Sequence, residues 1–127
     1  MNREKFAYSS CPLVKAMTAL GSKWKPIIVC VIRDKKVRFG QLAAIMDVIS
    51  RKVLTDQLRE LEADGILIRE EFKELPPRVE YSLTQKGLDL LPIFSLLEEW
   101  ETKYDPQSEV IHSVVHSLHE PVLTEKD

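Results

Sequence analysis

SRKVLTDQLRELEADG, residues 50–65, spaces its cations as one face of a helix would. At 100° per residue, Arg51, Lys52, Thr55, Arg59 and Glu62 fall in one arc, with Val53, Leu54, Leu58 and Leu61 opposite. Two cations and a hydroxyl thus gather in the first two turns, beside a helix N-terminus whose dipole favours anions. Arg and Lys bind phosphates and the acceptor edge of guanine, while Thr meets a thymine methyl or a phosphate. The bland alternative is a solvated amphipathic face. A second cation set lies in FKELPPRVEY, Phe72 to Tyr81, where adjacent prolines join two strand-like runs. Pro76 and Pro77 stiffen the tip, lower the entropy lost on binding, and present Arg78 near Lys73 as a cation seeking a groove or a phosphate. A rigid hairpin that simply faces solvent is the competing account.

Two cysteines make neither a disulfide framework nor a four-ligand zinc pattern. Cys11 stands at a helix-capping position ahead of Pro12, with Lys15 one turn on. Helix N-termini and nearby cations favour thiolates, so Cys11 is a candidate sensor of oxidation or alkylation; an incidental thiol is the alternative. Cys30, inside PIIVCVI, reads as a buried hydrophobe. His112, His116 and His119 share one helical face at spacings of four and three, which can hold a transition metal. Glu109 and Glu120 lie near without completing a convincing site, so these histidines read as a polar face, and no metal or other cofactor is expected. The chain has four glycines and no Gly-rich phosphate loop, nucleophile elbow or paired-carboxylate motif, so no enzyme is expected. Trp24 and Trp100 read as core and interface residues rather than a ligand cage.

Short elements must position these groups. Pro12 suits a first helical position, so PLVKAMTAL forms a helix that Gly21 closes. A second helix starts at Ser22 and runs through KWKPIIVCVIRD, with Pro26 tolerated in its first turn. It is apolar almost all round from Ile27 to Ile32 and reads as the buried spine. KKVRF is a basic joint that adds Arg38 to the candidate cations, and GQLAAIM is a two-turn helix offering Leu42, Ala43, Ile45 and Met46 to the core. Ser50 is the N-cap of the next helix, Ile49 can staple onto Leu54, and Gly65 fits the left-handed position past its end. ILIREEF and VEYSL are two antiparallel strands, with Val79, Tyr81 and Leu83 facing inward. Thr84 caps a long final helix, in which Pro92 opposes the carbonyl of Leu88 and produces a kink. Asp105-Pro106 opens a terminal helix through about residue 118.

The chain of 127 residues is the size of one domain, and 44% hydrophobic with 30% charged residues marks a folded soluble protein. No apolar run approaches bilayer length and no signal segment opens the chain, so a cytoplasmic protein without a membrane partner is expected. The net charge of −2 conceals an asymmetry: residues 1–38 carry nine Lys/Arg against Glu4 and Asp34, while residues 81–127 carry three against nine acids. Local basic surface, not total charge, sets phosphate binding.

Helix, helix, short helix, capped helix, hairpin and long helix is the order of a winged helix-turn-helix. The chain resembles the HxlR family of bacterial winged-helix transcription regulators, relatives of the MarR group. The matching residues are Cys11-Pro12, GSKWKPIIV, RFGQL, ISRKVLTDQLRELEADGI, PPRVEYSLTQKG and LLEEW, about three quarters of the chain in the family's order. The resemblance implies an α+β, mainly α fold, a winged helix-turn-helix with added N- and C-terminal dimerisation helices. The expected division is an arm at 1–22, a winged core at 23–84 and dimerisation helices at 85–127. It also implies a homodimer on double-stranded DNA, with the 50–63 helix in the major groove and the 73–79 hairpin as the wing. Ser50, Arg51, Lys52, Thr55, Arg59, Arg38, Lys73 and Arg78 are then the DNA-binding set, and Cys11 matches a position that some such regulators use as a redox or electrophile sensor.

Ile93, Leu97, Trp100 and Tyr104 repeat at +4, +7 and +11, and Phe94 and Leu96 widen the stripe. More apolar surface than one small domain uses points to a subunit interface at Leu97, Trp100 and Tyr104; packing on its own domain is the alternative. A two-fold dimer calls for a near-palindromic operator with half-sites roughly 34 Å apart. The rival function is a winged-helix protein-interaction module, kept open by Glu60, Glu62 and Asp64. Target genes, the sign of regulation and any small-molecule effector are not legible.

Overall fold

A computed structural model describes residues 10–108. The elements are α1 (Pro12–Ala19), α2 (Trp24–Ile32), β1 (Val37–Arg38), α3 (Phe39–Ile45), α4 (Arg51–Ala63), β2 (Leu67–Phe72), β3 (Arg78–Leu83), α5 (Gln85–Leu88) and α6 (Leu90–Tyr104). The predicted helix after Pro106, its histidines and the sequence before Ser10 lie outside the described residues.

Helix α2 is the spine expected of an all-round apolar run, with Ile28, Val29, Val31 and Ile32 buried. It begins at Trp24, two residues later than predicted, because Ser22 stays outside the helix and its Oγ accepts from the Trp24 and Lys25 amides, each at 3.2 Å. Two orphan donors of the first turn are thereby satisfied. Past its end the Lys35 amide donates to the Ile32 carbonyl at 3.0 Å, closing a turn that holds Arg33 at φ 53° and ψ −126°. That region suits glycine and strains a residue with a Cβ.

The basic joint is where the sequence reading fails. Val37 and Arg38 form a strand, pairing Val37 with Tyr81 and Arg38 with Glu80, so the sheet has three strands in the order β1-β3-β2 instead of two. Two residues carry no alternation, and their pairing exists only because α2 delivers them beside β3. Arg38 also leads into α3, its amide donating to Gln41 Oε1 at 3.0 Å. Leu42 and Met46 are buried, while Ala43 and Ile45 are half-buried against the core.

Both predicted ends of α4 are present. Ser50 Oγ accepts from the Val53 amide at 3.1 Å, and half-buried Ile49 packs against the core. At the other end Gly65, at φ 75°, donates to the Glu62 carbonyl at 3.0 Å and Ile66 donates to Leu61 at 2.9 Å. This is a Schellman closure. Leu54, Leu58 and Leu61 are buried, but Val53, assigned to the same apolar side, is partly exposed at its margin.

Strands β2 and β3 pair from Leu67–Leu83 to Phe72–Arg78. Tyr81 and Leu83 are buried and Val79 half-buried, in keeping with the predicted inward alternation. Thr84 caps α5, its Oγ1 accepting from the Gly87 amide at 3.1 Å. The predicted long helix is divided: α5 ends at Leu88 and α6 begins at Leu90. Pro92 lacks the N–H that the Leu88 carbonyl would accept, so the ladder opens there. Phe94 is the buried residue of α6. A Cβ on Gly87 would lie 2.5 Å from the Ile66 carbonyl oxygen, so α5 docks on the start of β2 only with glycine at that point.

Two substitutions should shift stability in opposite directions. Arg33→Gly relieves strain of ~1–3 kcal/mol, against ~0.5–1 kcal/mol for glycine's greater unfolded freedom, so a net gain of about 1 kcal/mol is expected in urea denaturation. Gly87→Ala forces backbone apart and should lose ~1–3 kcal/mol in the same assay.

Candidate nucleic-acid interface

With its leucine stripe buried, α4 turns its first-turn cations outward. Arg51 and Lys52 are exposed, directly after the exposed Ser50 cap. Arg51 lies 5.3 Å over the Phe39 ring at the start of α3, which limits its swing. Lys52 Nζ is 3.0 Å from Asp56 Oδ2, an exposed pair of the kind worth ~0.3–0.5 kcal/mol and readily exchanged for a stronger anion. The predicted arc is not one uniform surface. Thr55, Arg59 and Glu62 instead wall a cleft of about 420 Å³ whose other side includes Arg69 and Tyr81 of the hairpin. Arg59 makes no hydrogen bond or ion pair among the described residues.

The orientation of α4 is held from beneath by polar contacts that the sequence did not reveal. Lys25, buried on α2, places Nζ 2.6 Å from Glu60 Oε1, and the Ser22 hydroxyl donates to Gln57 Oε1. A lysine inside an otherwise apolar helix was the available signal, but its partner lies far along the chain. Glu60, one of the acids that favoured a protein-interaction module, thus serves inside the fold.

The hairpin departs most from expectation. Arg78 is not an open cation at a stiff tip. Its Nη1 donates to both Glu74 oxygens at 2.7 Å, its Nε donates to Glu80 Oε2 at 3.0 Å, and its guanidinium lies 4.0 Å over the Phe72 ring. Phe72 is its cross-strand neighbour and Glu80 is two residues along the same strand face, so the register assembles this cluster. What the tip exposes is Leu75, 98% accessible, followed by a cis peptide to Pro76. Lys73 is exposed beside it, and Arg38 is exposed on β1 opposite Glu80.

Cys11 is the half-buried N-cap residue of α1, its carbonyl accepting from the Lys15 amide at 3.0 Å. No residue of α1 is buried, and Leu13 and Met17 are exposed. On α6, Ile93, Leu96, Leu97, Trp100 and Tyr104 are exposed as well, with the Trp100 and Tyr104 rings edge to face at 6.1 Å. Among the described residues no group of three His, Cys, Asp or Glu could hold a metal, and no helix is long and apolar enough to cross a membrane.

A family model described as HxlR-like helix-turn-helix matches residues 19–109. An HTH-type transcriptional regulator of Methanothermobacter thermautotrophicus is 40% identical over 99 residues, 78% of this chain and 76% of its own. YtcD, an HTH-type transcriptional regulator of Bacillus subtilis, is 35% identical over 126 residues, covering 99% of this chain and 96% of its own. Among solved structures, the redox regulator HypR in its reduced form superposes with a TM-score of 0.69 at 44% identity, over 74% of this chain and 94% of its own. These relatives are regulators of transcription, not enzymes.

The second thiol differs sharply from an open one. Cys30 is half-buried on α2, and burial first, then the Glu98 carboxylate, push its pKa up to about 11, with Arg33 pulling the other way. At pH 8 only roughly one Cys30 thiol in a thousand is then ionised. In a Cys11→Ser variant, alkylation of Cys30 by iodoacetamide followed by mass spectrometry should accelerate about tenfold per pH unit and level off only near pH 11. A plateau near pH 9 would contradict the burial described.

Proposed function

The chain belongs to the HxlR-like helix-turn-helix family, and from that premise we propose that this transcriptional regulator binds double-stranded DNA as a homodimer. The observation that carries the reading is the pair Arg51 and Lys52, exposed on the capped first turn of α4 beside a protruding hairpin. An α-helix fits the major groove, and cations on its first turn reach guanine edges while the helix N-terminus meets phosphate. Ser50, Arg51 and Lys52 lead into the groove, with Thr55 and Arg59 following along its wall. Arg38 and Lys73 flank them as phosphate contacts. Arg78 joins them only by exchanging Glu74 or Glu80 for a phosphate, so its contribution is smaller than that of an open cation.

Dimerisation is supported by the exposed apolar stripe of α6, with Leu97, Trp100 and Tyr104 at its centre, and by α1, none of whose residues is fully buried. A second copy packed on these apolar surfaces about a two-fold axis sets two α4 helices on the half-sites of a near-palindromic operator. The division into an arm at 1–22, a winged core at 23–84 and dimerisation helices at 85–127 belongs to the same reading. HypR is named a redox regulator. By analogy, oxidation or alkylation of Cys11, at the root of this arm, changes DNA affinity. The opposing reading, a protein-interaction module, draws on Glu70, Glu71, Glu74 and Glu80 of the hairpin, which outnumber its cations.

Fluorescence anisotropy with genomic fragments separates the two. Salt-dependent binding is expected, and Arg51→Ala or Lys52→Ala should each cost ~1–3 kcal/mol where the side chain contacts a base. Wild-type protein that ignores duplex DNA at low salt refutes the reading. Sedimentation of Trp100→Asp should give a monomer where the wild-type chain gives a dimer. Diamide should alter DNA affinity in the wild-type protein and leave Cys11→Ser unchanged.

A further inference from the structure

The hairpin carries a cation where its pattern calls for an apolar side chain. On the face of β2 that continues from buried Leu67, the next residue is Arg69, directly opposite Tyr81, whereas the Leu67–Leu83 pair beneath them is buried. Tyr81 still belongs to the core, so it is on β2 that the apolar face stops at Leu67, and Arg69 beyond it lines the cleft toward α4. Arg59 stands on the far wall, with Thr55 one turn before it on the same helix. Two guanidiniums and two hydroxyls face one space of about 420 Å³, against a single lining carboxylate, Glu62.

Neither arginine is firmly engaged. Arg59 has no hydrogen-bond or ion-pair partner among the described residues. Arg69 Nη1 meets Glu71 Oε1 at 3.3 Å in an exposed pair, the weak and exchangeable kind. Like charges converging on one cleft repel unless an anion lies between them. Duplex geometry supplies one. When α4 occupies the major groove and the hairpin covers the adjacent minor groove, the sugar-phosphate strand dividing those grooves must pass between helix and hairpin.

We propose that this cleft is a phosphate seat, in which Arg59 of α4 and Arg69 of β2 grip a single phosphodiester of the DNA strand that crosses between the two elements. The proposal rests on the DNA-binding reading above and adds Arg69 to it. The planar guanidinium forks suit bidentate contact to phosphate oxygens, and Thr55 offers a further donor. Such a contact sets position and register without reading sequence. Exchange of Glu71 for phosphate frees a carboxylate that is already exposed, so no buried charge is left behind.

The test is the salt dependence of full-length protein binding to a mixed-sequence duplex, measured for wild type, Arg59→Gln, Arg69→Gln and the double variant. One neutralised phosphate contributes a slope of about −0.9 to log K against log salt. Because both arginines share one phosphate, either alone still neutralises it, and the double variant should lose about 0.9 in slope magnitude in total, while each single variant loses less. Arg69→Lys should keep most of the slope, which separates lost charge from lost folding. A slope unchanged in the double variant, or a double variant losing about twice that amount, overturns the shared seat. Sodium benzoate or phenyl phosphate supplies the second arm, read as thermal stabilisation of DNA-free protein. Stabilisation by either that vanishes in the double variant while its salt slope stays intact assigns the cleft to a free organic anion and overturns the phosphodiester. Failure of the DNA-binding reading is distinguishable, since wild-type protein would then show no salt-dependent duplex binding at all.

Discussion

Leu54, Leu58 and Leu61 point into the core, and their burial decides which way every cation on α4 faces. Each buried leucine contributes ~1.5–3 kcal/mol relative to exposure. A roll of one residue about the helix axis would surrender part of that and drive a charged neighbour toward apolar surroundings, at a cost of several kcal/mol. The polar contacts beneath α4 act in the same sense. Lys25 is satisfied only while Glu60 stands over it, and the Ser22–Gln57 hydrogen bond fixes the same edge against α2. Outward cations are thus the other side of inward leucines.

The same constraint shapes the hairpin. Its base belongs to the core through Leu67 and Leu83, its middle faces the cleft through Arg69 and Tyr81, and its tip belongs to solvent. One strand face therefore passes from core packing to cleft lining within a few residues. Charge balance changes along it as well. Arg78 is held between Glu74 and Glu80, which rigidifies the ribbon near its tip while cancelling the field that a free arginine would project. The proline-stiffened turn and this clamp act together to hold the hairpin out from the body as a shaped object, not as a basic finger.

Elements at the two ends of the described chain obey a different logic. Helix α6 is anchored by buried Phe94, with Leu90 and Leu91 half-buried, and further along shows the solvent an apolar stripe that includes aromatic rings, while no residue of α1 is fully buried. Isolated apolar side chains are ordinary on a surface, but a contiguous stripe spanning several turns is not. The opening of the helical ladder below Pro92 separates this stripe from α5, whose Gly87 lies tight against Ile66. The winged body and the apolar helix are thereby joined but differently disposed, one packed on its own core and the other leaving its apolar stripe exposed.

Much of this architecture was legible in the order of residues. The Ser50 and Thr84 caps, the left-handed Gly65, the leucine stripe, the apolar spine and the alternation of β3 all depend on neighbours within a few positions, where local stereochemistry acts the same way in any fold. The cations of the first turn of α4 were legible for the same reason. Tertiary packing decided the rest: that Val37 and Arg38 become a strand, that Thr55 and Arg59 line a cleft, that Lys25 finds Glu60, and that Arg78 is neutralised. Most of these bring together side chains far apart in sequence, and a residue's own type and spacing carry no record of which distant partner the packing of helices and strands will set beside it. Even Arg78 and Glu74, near neighbours in the chain, meet only because the hairpin register turns one back upon the other.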